Sequence, residues 1–188
     1  MATSIKRSGH ARLKAALVLR DALATELGIP LAAAMAQLRT VENNIGAAHS
    51  LTDGKYLEAI SSVCSGDAAH LASLDSEVRI ACGRVRFAPR YAQYLALLLF
   101  SHWVHAQLDD AAAFLVRLNA YLEENKPKGE AVTEFVDVDL QLAAFWMATA
   151  AGKTHVLHAC LALLEKRRTW DRLIVITPSE SLTRQHAD

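Results

Sequence analysis

From the N-terminal side, the chain alternates blocks whose apolar residues return every three or four positions with short polar or glycine-containing breaks. This is the pattern of amphipathic helices joined by turns. In "SGHARLKAALVLRDALATEL" (Ser8 to Leu27), Leu13, Leu17, Leu19, Leu23 and Leu27 keep close to helical spacing, with Ser8 as candidate cap and Gly28 and Pro30 as the stop. Further helices are predicted from Pro30 or Leu31 to about Ile45, from Gly54 to Val63, and between Asp67 and Cys82. The strongest periodicity lies between Ala88 and Asn125. There Tyr91, Tyr94, Leu95, Leu98 and Leu99 form one stripe, and Phe114, Leu115, Leu118, Tyr121 and Leu122 another. A cap at Asp109 or Asp110 divides the stretch into two helices.

The pattern breaks at "NKPKGEAVTEFVDVD" (Asn125 to Asp139), where proline, glycine and charge mark a candidate linker. Beyond it the period changes. "LQLAAFWMAT" reads as a buried strand, "THVLHACLALLEKR" has helical spacing, and "RLIVITP" reads as a short buried strand rich in β-branched residues. Strand, turn, helix, strand is the opening of a βαβ unit. The expected fold is therefore a mainly α N-terminal region (1–128) followed by the first βαβ elements of an incomplete α/β domain (129–188).

At the turn of that unit stands Gly152-Lys153-Thr154. Backbone N–H groups converging at a helix N-terminus stabilise a phosphate chain. In that chemistry Gly152 permits the close backbone approach, Lys153 reaches the terminal phosphates, and Thr154 offers its hydroxyl to magnesium. The strict pattern G-x-x-x-x-G-K-[ST] is not met, because residue 147 is methionine.

"FWMATAAGKTHVLHACLALLE" followed by "WDRLIVITPSESLTRQH" resembles the first two motifs of superfamily 2 DEAD/DEAH-box helicases, in particular the restriction subunits of type III restriction enzymes. The detailed resemblance spans residues 90–188. It implies a RecA-like P-loop ATPase domain, with Thr149, Ala150, Ala151, Gly152, Lys153, Thr154 and His155 around ATP and magnesium. Lys153 and Thr154 take the catalytic roles, and Thr154 is the magnesium ligand. "ITPSESLTRQH" (Ile176 to His186) resembles motif Ia, which implies contacts to a nucleic-acid backbone from Thr177, Pro178, Ser179, Arg184 and Gln185. Ala150 stands where the family has glycine. No later Asp-Glu strand and no second RecA-like lobe follow. The implied function is an N-terminal fragment of an ATP-dependent DNA helicase or translocase of a restriction or defence system. DNA and a modification or nuclease subunit would be partners of the full-length protein, and the fragment alone would be inactive as a hydrolase. The alternative is a noncatalytic helical interaction or structural protein with a vestigial P-loop. A small P-loop kinase is the weakest of the three, because the chain beyond Thr154 is too short for its sheet.

Composition sharpens this in a few places. Hydrophobic residues make up 52% of the chain and aromatics only 6%, which favours helix over a sandwich or barrel. Twenty basic residues balance twenty acidic ones, so bulk charge argues neither for nor against nucleic acid. Arg12, Lys14 and Arg20 read as a solvated helix face. Cys64, Cys82 and Cys160 match no disulfide or zinc framework, from which a reducing, cytoplasmic location is inferred. Cys160 reads as a small buried hydrophobe. The run "LALLLF" is too short for a bilayer, which takes about 20 residues, so no membrane partner is expected. His102 and His105, and His155 and His158, share helical i,i+3 spacing without a third ligand or an H-E-x-x-H pattern, and read as core or surface histidines. Asp109, Asp110, Glu123 and Glu124 read as caps and solvated charge.

Overall fold

The computed structural model describes residues 18–125, 134–141 and 152–167. All regular secondary structure among them is helical. The elements are α1 (Val18–Glu26), α2 (Leu31–Ile45), α3 (Ala47–Thr52), α4 (Lys55–Ser61), α5 (Ala68–Arg84), α6 (Tyr91–Asn125), a 3-10 turn (Asp137–Gln141) and α7 (Lys153–Arg167). None of these helices is long and apolar enough to cross a membrane.

Local chemistry sets the boundaries. Asp67 caps α5 by accepting from Ala69 N at 2.8 Å. Between α1 and α2, Gly28 adopts φ +65° and lies against the chain at Gly66. Ser65 N donates to Gly28 O at 3.0 Å, and Cys64 Sγ to Leu27 O at 3.1 Å. A Cβ at Gly66 would sit 2.2 Å from Leu27 O, so only glycine permits this crossing.

The first arm of α6 is the axis of the body. Tyr94, Leu95, Leu97, Leu98, Phe100, Trp103 and Val104 are all buried, covering every direction around the helix. A helix apolar all round is one surrounded by others, and α1, α2, α5 and α7 pack against it. Full burial of a leucine such as Leu97 or Leu98 contributes roughly 1.5–3 kcal/mol. At Asp110 the backbone leaves helical geometry (φ −156°, ψ 83°), and its carboxylate caps the second arm by accepting from Ala113 N at 2.9 Å. Beyond the break only Phe114, Leu118 and Leu122 are buried, a one-sided stripe. The two-helix expectation thus holds through the aspartate that suggested it.

The N-terminus of α6 is anchored by a carboxylate from another helix. Glu42, buried on α2, accepts from Tyr91 N at 2.5 Å, Tyr56 Oη at 2.8 Å and Arg90 Nε at 2.8 Å. Burial alone would raise its pKa. Those three donors and the Arg90 charge outweigh burial and hold the pKa below the usual value. An anion at this position also meets the positive end of the helix dipole.

The expected α/β half is corrected. Leu140 and Gln141, where the first strand was to begin, belong to a 3-10 turn, and no strand or βαβ unit occurs among the described residues. Asn119 docks this turn by pairing with both backbone groups of Phe135, at 3.0 and 2.8 Å. The rest of that expected strand and the one in "RLIVITP" lie outside the described residues. The helix expected after the turn is present as α7, but its stripe of Val156, Ala159, Cys160 and Leu163 is buried against α5 and α6, not against a sheet. Its small residues suit close approach to a helix.

Candidate functional site

Two places carry chemistry: the turn that opens α7, and a polar network inside the bundle.

At the turn, Gly152 has φ +71°, the left-handed region that favours glycine, and its carbonyl accepts from Val156 N at 3.2 Å. The Gln93 side chain of α6 lies alongside, with Nε2 2.9 Å from the position a Cβ would take. Gln93 Oε1 in turn accepts from Arg90 N at 2.7 Å, so the side chain that borders Gly152 also helps to start α6. Lys153 is exposed and Thr154 half-buried. His155 stacks on Phe87 with ring centroids 5.3 Å apart. Two of these four residues border the helical body, Gly152 at Gln93 and His155 at Phe87. Thr149, Ala150, Ala151, Thr177, Pro178, Ser179, Arg184 and Gln185 lie outside the described residues.

The second place is a network of carboxylates and half-buried histidines. Glu77, buried on α5, accepts from Ser101 Oγ at 2.9 Å, His105 Nε2 at 2.8 Å, Arg167 Nη2 at 2.8 Å and Lys166 Nζ at 3.3 Å. Arg167 also presses against the His105 ring. Burial would raise the pKa of Glu77. The bonds from His105 and Ser101, with the charges of His105 and Arg167, override it and push the value down to about 2. Glu26 of α1 accepts from His102 Nε2 at 3.0 Å and Arg117 Nε at 2.9 Å. There too burial is outweighed by those partners, and the pKa is lowered. His70 Nε2 faces His102 Nδ1 at 3.1 Å, and the rings of His70 and His105 meet edge to face at 5.9 Å.

Asp75, also buried on α5, accepts from Tyr94 Oη at 2.6 Å. Its other oxygen has Arg79 Nε at 2.9 Å, at an angle that makes a charge contact without an aligned hydrogen bond. Burial, with the Asp75 charge, holds the Tyr94 phenol well above its usual pKa. Among the described residues no three His, Cys, Asp or Glu side chains are arranged to hold a metal ion. A shallow apolar cavity of about 270 Å³ is lined by Leu51, Arg79, Cys82, Arg86, Phe87 and Ala88 among others, and none of the network's histidines or glutamates borders it. A general acid or base must reach its substrate, and here the network's histidines and glutamates lie away from the cavity.

His102 and His105 stand out in sequence by their spacing, whereas Glu26, His70 and Glu77 do not. One signal was available. Asp75 and Glu77 interrupt the apolar set Leu71, Leu74, Val78 and Ala81, and charges so placed are buried and paired when the helix packs.

No family model matches the chain, and neither does any curated protein or solved structure. With that finding and the strand-free helical body, the resemblance to DEAD/DEAH-box helicases and type III restriction subunits is withdrawn. The reading as a helicase or translocase fragment goes with it. Its physical basis was a strand, loop and helix around Gly152-Lys153-Thr154, and the described residues supply only the helix.

Proposed function

We propose that the chain is a noncatalytic helical protein of the interaction or structural class, in which Gly152-Lys153-Thr154 is the turn that docks α7. The observation that carries this reading is the contact of Gly152 with Gln93. The left-handed backbone and the neighbouring side chain account for the glycine without a phosphate. The saturated buried carboxylates agree with it, because Glu42 and Glu77 spend their acceptor capacity on tying helices together.

The test pairs two substitutions with a nucleotide titration. Gly152→Ala places a methyl group in left-handed backbone, at roughly 1–2 kcal/mol, and displaces Gln93, so the thermal midpoint falls. Lys153→Ala, at an exposed first-turn position, changes stability by less than about 0.5 kcal/mol. Calorimetric titration of the chain with ATP and magnesium gives no saturable heat. Saturable binding abolished by Lys153→Ala would overturn the proposal.

A further inference from the structure

Three histidines and two carboxylates make one continuous row through the bundle: Glu26 on α1, His102 on α6, His70 on α5, His105 on α6 and Glu77 on α5. Arg117 closes the Glu26 end, and Lys166 and Arg167 of α7 close the Glu77 end. The helix-docking role proposed above uses only the Glu77 end of this row.

At its centre two imidazole nitrogens face each other at 3.1 Å. Such a contact holds one proton, because one nitrogen must donate and the other accept. An ionised Glu26 only accepts, so His102 donates to it from Nε2. His102 Nδ1 then accepts from His70 or, when His102 is cationic, donates to a neutral His70. The pair is complete when neutral and when it carries one positive charge. With both rings cationic, two N–H groups stand head to head with no acceptor between them.

We propose that the His70–His102 contact is an acid-sensitive latch between α5 and α6, closed while the pair carries at most one positive charge and opened by the second proton. His70 is the third residue of α5, so opening frees the first turn of that helix from α6 while the Glu26–His102 bond is kept.

The groups around His70 set the direction of its response. On α5 these are Asp67 and Glu77, and on α6 they are His102 and His105. Glu26 on α1 acts through His102, and Arg117 acts through Glu26. From α7, Lys166 and Arg167 already neutralise Glu77. Burial, followed by His102 and His105, holds the His70 ring below the ordinary imidazole value of 6.5, and Asp67 and Glu77 offset this only in part. The unfolded chain therefore takes up the proton more readily. The contribution of the latch is complete above about pH 6.5 and is lost as the pH falls below it.

The test uses the full chain and His70→Gln, whose amide can still donate to His102 Nδ1 but does not titrate. Urea unfolding is measured at about pH 7.5 and pH 5.5, with amide exchange read at Leu71–Leu74. Each pH unit by which His70 titrates below the ordinary value is worth about tenfold in the folded-to-unfolded ratio. The wild type is expected to lose this ratio several-fold more than His70→Gln between the two pH values, with exchange at the start of α5 accelerating at the lower one. Equal pH slopes in the two proteins would overturn the latch. If His70→Gln does not fold, NMR titration of the wild-type imidazoles decides. His70 titrating at or above the ordinary value overturns the proposal, and titration below it with the accelerated exchange supports it.

Discussion

Replacing Glu77 by glutamine keeps the shape of the side chain and removes its charge. In the native fold that carboxylate accepts four donors from α6 and α7, and its pKa falls from 4.5 to about 2. At about 1.4 kcal/mol per pH unit, this difference is worth about 3 kcal/mol of folding free energy at neutral pH. Loss of one partner from a buried ion pair costs about 3–5 kcal/mol. The low end applies here, because the Lys166 and Arg167 side chains are 40% and 29% exposed and can turn towards water. Glu77→Gln is therefore expected to lose about 3 kcal/mol in urea unfolding at pH 7, or about 6–12 °C in thermal midpoint for a chain of this size. The pH dependence carries the sharper signature. A carboxylate with a depressed folded pKa stabilises fully above 4.5 and loses that contribution as the pH falls towards 2. Wild type should therefore weaken between about pH 5 and pH 3 more than the variant does. A variant as stable as wild type at pH 7, or two parallel acid curves, would refute the role assigned to Glu77.

Two further outcomes follow from packing and burial. Gly66→Ala drives a methyl group onto Leu27 O and opens the crossing at Gly28, at about 2–3 kcal/mol. Gly83→Ala, inside α5 with nothing within 4 Å of the added carbon, gains about 0.5–1 kcal/mol, so chemical denaturation should show opposite signs for the same chemical change. Burial pushes the Cys82 thiol up to about 12 and raises that of Cys160 as well, while Cys64 is half-buried. An aromatic disulfide reagent should titrate one thiol in the native protein and the other two only after denaturation, and three equally fast thiols would contradict the burial.

Much of the helical body is legible in the sequence because its signals are local. Pro30 before α2, Asp67 before α5 and the aspartates inside α6 mark boundaries through capping chemistry that needs no knowledge of the rest of the chain. The six residues of α3 are too few for a period to declare itself, and no element was predicted there. The strand expected from Leu140 failed for a different reason. A short apolar run carries no period that separates strand from buried helix, and its neighbours then suggested the answer. The Gly152-Lys153-Thr154 turn took support from that strand, and the strand from the turn, so the correct prediction of α7 lent weight to both. His102 and His105 could be paired by spacing on one helix, but Glu26 is 76 positions from the histidine it binds and Glu77 is 28 from its own. Contacts of that separation leave no periodic trace. Charges lodged within an apolar stripe are the trace they do leave.

The break at Asp110 governs a dimension of the molecule. Thirty-five helical residues in line would reach about 52 Å. A globule the size of the 132 described residues has a radius of gyration of about 14 Å, or a breadth near 36 Å. Unbroken, α6 would overshoot by some three turns and carry Phe114, Leu118 and Leu122 out into water. One residue in extended geometry, with a carboxylate that restarts the helix, folds that excess length back along the surface. The breadth of the bundle is set at Asp110, by an ordinary backbone angle and without proline or glycine.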